Sequence, residues 1–162
     1  MKKLLFLMVA VLALGACSGA TDVVTVDGVT FDVDDVPLET DASTIDMELF
    51  REAINWLVFD HIVVRAAEDE FGLVLSDEEI EAEASALLAA GDERDPRNNL
   101  PYLRIQARIG PSGLLGPALL AELPDDVPPF QWANEKLGET DVEVNPRFGE
   151  WRVTPNPGIY GP

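Results

Sequence analysis

The chain has one histidine, His61, and an acid, Asp60, directly before it. A histidine base beside a carboxylate suits general acid–base chemistry or activation of a nucleophile. Residues one apart on a helix do not face each other, so Asp60 is badly placed to orient His61. Nothing marks a serine or cysteine nucleophile, or a third group to hold the base. His61 therefore reads as a core or groove histidine with a hydrogen-bond partner. Asp32, Asp34 and Asp35 invite a calcium loop, but counting from Asp32 the turn glycine falls on Pro37 and the bidentate glutamate on Ser43. Asp92, Asp95, Asn98 and Asn99 fail the same test, with Arg97 where the glycine belongs. Both sets read as solvated loop groups. Zinc-type clusters and a phosphate-cradling glycine loop are absent from the sequence. Its 30 acidic residues allow many carboxylate pairs of the kind used in glycoside hydrolysis, yet none is singled out. The expectation is no catalytic residue, no metal and no cofactor.

The elements that position these residues are more legible. Phe50, Ile54, Leu57, His61 and Val64 recur at three- and four-residue steps, the spacing of one helix face. Trp56, Phe59, Ile62 and Val63 widen the stripe, and a helix apolar nearly all round is a buried one. Phe71-Gly72 ends it, glycine being suited to the left-handed position after a helix. Ser76 and Glu79 then have capping-box spacing, opening a second helix with Ile80, Ala84, Leu87 and Leu88 on one face and a stop at Gly91. Upstream, Val23–Val26 and Val29–Val33 flank Asp27-Gly28, the dipeptide of a tight type I′ hairpin. A polar loop containing Pro37 follows.

Beyond Gly91, residues 92–99 read as a loop, and Pro101 suits the first turn of a helix carrying Leu103, Ile105 and Ile109. Gly110-Pro111-Ser112-Gly113 breaks it. Residues 114–123 resume with an interruption at Gly116-Pro117, and 130–137 form a short helix. Val142–Val144 and Phe148–Val153 read as strands. One of them is expected to pair with the N-terminal hairpin, because an isolated hairpin is marginal in water. Trp151 would then pack on the long helix.

Charge narrows the partners. Against the 30 acidic residues stand 11 basic ones, a net charge of −19. Nucleic acid is an improbable partner, because affinity for it rests on neutralising phosphates. The acidity repels anionic lipid and aids solubility, or is a salt adaptation.

The first residues carry a different message. Lys2-Lys3, an apolar run over 4–14 and small residues after it have the form of an export signal. That run is shorter than the roughly 20 residues of a membrane span. Leu14-Gly15-Ala16-Cys17 has the form of a bacterial lipobox, which implies a lipid on Cys17 and an extracytoplasmic, membrane-anchored protein. Cys17 is the only cysteine, so no intrachain disulfide can form. The expected organisation is a lipoprotein signal peptide over 1–16, a tether over 17–22, one domain over 23–153 and an irregular tail over 154–162.

Among the aromatic residues, Trp56 and Phe59 lie off the Phe50–Leu57 seam, while Phe130, Trp132, Phe148 and Trp151 cluster late. They complete the core, or they line an apolar groove for extended peptide or a partner helix.

Three parts together resemble the N-terminal domain of SurA-type and PrsA-type extracytoplasmic chaperones. These are the lipobox, the strand and turn over 24–31, and the stretch Phe71-Gly72-Leu73-Val74-Leu75-Ser76-Asp77-Glu78-Glu79-Ile80 that links two helices. Residues 142–151 also resemble the ending of actinobacterial lipoproteins of this group. The resemblance covers about half of the chain beyond the leader. It implies a mainly α domain with a small antiparallel β-sheet that holds unfolded exported polypeptides. It does not carry over prolyl isomerase activity: that belongs to a separate parvulin domain, for which residues 92–137 leave no room. The expected function is ATP-independent binding of unfolded or partner polypeptides at the outer face of the membrane, with Trp56 and Phe59 as contacts. The alternative is a structural or adaptor lipoprotein that docks one defined envelope partner.

Overall fold

The computed structural model describes residues 21–38, 46–154 and 156–161. The architecture is mainly α with a small antiparallel sheet, as the sequence suggests. In chain order come β1 (Asp22–Val26), β2 (Val29–Asp32), α1 (Met47–Phe71), α2 (Asp77–Ala90), α3 (Leu100–Ile109), α4 (Leu115–Glu122), α5 (Pro129–Glu139), β3 (Val142–Val144), β4 (Glu150–Arg152) and β5 (Gly158–Tyr160). Cys17 and the signal and tether residues 1–20 lie outside the described residues, as does most of the loop after Pro37.

The organising element is α1. Asp46 caps it, accepting from Glu48 N and Leu49 N, and Gly72 closes it in the left-handed region at φ 67°. It packs against α3, α4, α5, β1 and β5, which is the many-sided burial that its apolar surface calls for. The buried positions are Phe50, Ala53, Ile54, Val58, Ile62, Val63 and Ala67. The seam is thus rotated from the one the spacing suggested: Leu57, His61 and Val64 are only half-buried. Where nearly every position is apolar, periodicity does not choose the face, and the small Ala53 and Ala67 are among its fully buried positions.

The hairpin forms as expected, with Asp27 at φ 47° and Gly28 at φ 81°. Asp32 and Asp35 satisfy each other's end of a short 3-10 turn over Val33–Asp35, so these acids cap backbone locally. β3 pairs antiparallel with β1, Thr25 opposite Glu143, giving the sheet order β2-β1-β3. The C-terminal segment therefore completes the sheet begun by the N-terminal hairpin.

Two expectations are corrected. The chain over 115–122 is a continuous helix, because Gly116 and Pro117 fall in its first turn, where proline's missing N–H has no intrahelical partner to lose. The tail is not irregular throughout: Gly158–Tyr160 form β5, antiparallel to β4. What orders it is tertiary. Ile159 is buried, and its N–H donates to Asn55 Oδ1 of α1 at 2.7 Å, a partner 104 residues away that no local pattern reveals.

Candidate functional site

Two open clefts and one histidine carry the polar and aromatic groups worth weighing. The first cleft, about 370 Å³, lies between α1, the end of α2, the loop after it and α3. Trp56, Leu87, Leu103 and Pro111 supply its apolar wall, and Glu52, Asp92, Asp95 and Arg97 its rim. The loop is built by its own acids: Asp92 Oδ1 accepts from Arg94 N and Asp95 Oδ1 from Arg97 N, both at 2.9 Å. Asn99, the buried polar residue at its end, caps α3 by accepting from Tyr102 N and donates to Pro96 O at 2.7 Å. Arg97 makes a forked pair with Asp95 and lies 3.5 Å from Glu52. That pairing holds the Asp95 carboxyl below its usual range and Arg97 firmly protonated. The Tyr102 hydroxyl donates to Glu52 Oε1 at 3.0 Å, and burial followed by the Glu52 charge pushes its pKa up. Tyr102 is therefore fixed as a donor rather than a phenolate base.

The second cleft, about 670 Å³, opens between β3 and β4. It is lined by Val142, Glu143 and Val144 on one side and Glu150, Trp151 and Arg152 on the other. Trp151 packs edge-on against Phe59 of α1, ring centroids 6.1 Å apart, and Phe59 in turn meets Trp56 at 6.2 Å. The expected contact residues thus separate. Trp56 is half-buried and borders the first cleft, whereas Phe59 is half-buried between two tryptophans and joins neither lining. Trp151 lies on the long helix, as its strand assignment suggested.

His61 sits between two further hollows, one shared with Asp27, Arg65, Lys136 and Glu139, the other with Asp60, Glu68, Leu75 and Arg108. Its ring stands edge-on to Phe31 at 5.1 Å, and its buried Nε2 has no hydrogen-bond partner among the described residues. The partner expected for this groove histidine is an aromatic ring instead. Burial lowers its pKa and Arg65 lowers it further, against the opposing charges of Asp60 and Asp27. Asp60 turns away from it to Arg108 on α3. That ion pair escapes sequence reading, because nothing links residues 48 apart before the helices pack. Among the described residues no group of three His, Cys, Asp or Glu is set to hold a metal ion, and no helix is long and apolar enough to cross a membrane.

No family model matches the chain, and neither a curated protein nor a solved structure matches it.

Proposed function

We propose that this chain binds unfolded or partner polypeptides without ATP, outside the cytoplasmic membrane, tethered by a lipid on Cys17. The observation that supports the binding is the Trp56 cleft: an open apolar wall bordered by Glu52, Asp92 and Asp95. Burying one large apolar side chain there contributes about 1.5–3 kcal/mol before ordering costs are subtracted, so binding is weak and exchangeable. Weak exchange is what a holder without an energy source needs. The net charge of −19 keeps a loaded complex soluble and favours segments carrying Lys or Arg. The SurA/PrsA resemblance points the same way.

The adaptor reading draws on a different surface. Leu120 on α4 and Phe130 on α5 are 65% and 70% exposed, which suits a fixed contact with one partner. One experiment separates the two. The holdase reading expects low-micromolar protein to slow the aggregation of several unrelated unfolded proteins, and Trp56→Ala to weaken that effect at unchanged fold. Protection of no client, together with capture of a single envelope protein that is lost on Phe130→Ser, replaces it with the adaptor. The anchor is tested apart from both: Cys17→Ala should release the protein from the membrane fraction, because stable anchoring depends on the lipid. Retention of the variant would refute the lipid assignment.

A further inference from the structure

We propose that the Trp56 cleft takes one arginine side chain of a client segment, and that the chain's own Arg97 competes with it for the acids of the cleft. The inference rests on the polypeptide-binding reading of this cleft and gives it a ligand chemistry and a limit on affinity.

The lining is acidic as well as apolar. Glu52, Asp92 and Asp95 stand against one base, Arg97, which leaves two net negative charges around the cleft. The three carboxylates are not equally available. Asp95 is held on both oxygens by Arg97, with N and Nε donating to Oδ1 and Nη2 to Oδ2. Glu52 Oε1 accepts from the Tyr102 hydroxyl at 3.0 Å and lies 3.5 Å from an Arg97 nitrogen. Asp92 accepts from the Arg94 N–H, and no cation pairs with its carboxylate among the described residues. Position on α1 adds the aromatic part. Glu52 and Trp56 are four residues apart, the spacing that makes two side chains neighbours on one helix face. A cation lying over the Trp56 ring is therefore beside the Glu52 carboxylate. The ring is free to receive one: among the described residues the cations over rings are at Trp132, Phe148 and Tyr160.

Arginine meets all of these features at once. Its planar guanidinium stacks on tryptophan while its N–H groups reach a carboxylate, and its methylene stem covers apolar surface such as Leu87 and Leu103. Lysine lacks the planar fork, and a neutral side chain leaves the acids uncompensated. Arg97 already makes the acid half of these contacts, at Asp95 and Glu52, without covering Trp56. Its side chain is 45% exposed, so it can turn out into water without uncovering a buried charge. A client arginine arriving at Glu52 meets an acid that Arg97 partly neutralises, and the two guanidinium groups repel each other. Affinity is therefore lower than the bare acids would give. Release then needs no energy source, because Arg97 returns to Glu52 as the client leaves.

The probes are Gly-Leu-Arg-Leu-Gly and the same peptide with citrulline for arginine, which keeps the shape and removes the charge. Added to the full chain, the arginine peptide should shift the Trp56 indole N–H and the Arg97 Nε–H signals together in NMR spectra. Citrulline should weaken binding about tenfold. Arg97→Gln should bind the arginine peptide about fivefold more tightly at low salt, with its affinity for the citrulline peptide unchanged. That gain should fade toward about 1 M salt, where charges are screened beyond about 3 Å. Equal affinity for the two peptides, with Trp56 shifting for both, would overturn the cation pocket and leave the polypeptide-binding reading intact. An Arg97 Nε–H signal that stays in place while Trp56 moves would overturn the competition in the wild-type protein, whatever the variant does to the loop. Binding of neither peptide, alongside protection of unfolded clients, would refute this inference alone. Binding of neither, with no client protected, would remove both readings.

Discussion

Asp60 on α1 and Arg108 on α3 meet in a two-pronged ion pair, Nε donating to Oδ1 at 2.6 Å while a second guanidinium N–H reaches Oδ2. Their side chains retain 14% and 25% of their exposure, so both groups have given up most of their water. Burial pushes the Asp60 carboxyl above its usual range even with Arg108 pulling it down. The pair thus joins two helices at a cost that only the complete geometry offsets. Arg108→Ala strands a buried carboxylate and should cost about 2–3 kcal/mol, somewhat below the loss for a fully buried pair. Asp60→Leu with Arg108→Met removes the desolvation along with the attraction and should stay within about 1 kcal/mol of wild type. Urea unfolding of the three proteins decides it. A single variant as stable as the double would show that solvent, not Arg108, satisfies Asp60.

The return of the C-terminal segment onto α1 is centred on Phe148. Its ring is buried against Phe50, centroids 5.2 Å apart, and its carbonyl accepts from Arg51 Nε at 2.7 Å. Phe148→Ala should cost about 3–4 kcal/mol through lost contacts and the cavity left behind. It should also loosen β4 and β5 together, seen as faster amide exchange at Ile159. A loss under about 1 kcal/mol would mean that the site collapses around the smaller side chain.

Much of this fold is written in local patterns. The hairpin turn at Asp27-Gly28, the stop at Gly72, the cap at Ser76 and the helix opening at Pro101 each depend on a few neighbouring residues, and each is found where its chemistry puts it. The pairing of β3 with β1 was accessible too, because a lone hairpin needs a third strand. β5 was not. Its three residues sit among prolines and glycines, and Asn55 and α1 order them from outside. The face of α1 was hidden for the opposite reason: too many positions qualify as apolar. At the candidate site, Trp56 was legible as an aromatic off the main seam, but the partition of Trp56 to a cleft and Phe59 to packing depends on where β4 lands.

Gly72 offers a clean test of a backbone requirement. It adopts φ 67°, its N–H donates to Glu68 O at 2.8 Å, and beyond the adjoining backbone no atom lies within 4 Å of an added Cβ. Gly72→Ala should therefore lose about 1–2 kcal/mol from the left-handed conformation alone, without a steric clash. Gly72→Asn should recover part of that, since asparagine tolerates this region better. If alanine costs nothing, the α1–α2 link can leave the left-handed conformation without disturbing α2.

His61 makes stability depend on pH with a sign that can be worked out. Its pKa is lowered in the folded protein, first by burial and then by Arg65, from the ordinary value of 6.5. The unfolded chain therefore binds the proton more readily, and wild type loses stability as pH falls through about 6.5 toward the folded pKa. Asp60 acts in reverse, because its raised pKa favours folding as it protonates at lower pH. The net charge of −19 adds a general relief of repulsion on acidification. His61→Gln removes the first effect and, with it, the pull of the imidazolium charge on Asp60, while the general relief of repulsion stays. The groups facing the ring, Arg65 and Asp60 on α1, Asp27 in the hairpin turn, and Lys136 and Glu139 on α5, remain in both proteins. The stability of wild type relative to His61→Gln should thus decline between about pH 7.5 and 5.5, by no more than about 1.4 kcal/mol per pH unit for one proton. Urea unfolding across that range measures the difference directly, and the carboxylates that do not act on His61 cancel from it. Parallel curves for the two proteins would mean that the imidazole is protonated as easily in the folded chain as in the unfolded one, and that its place beside Phe31 carries no electrostatic penalty.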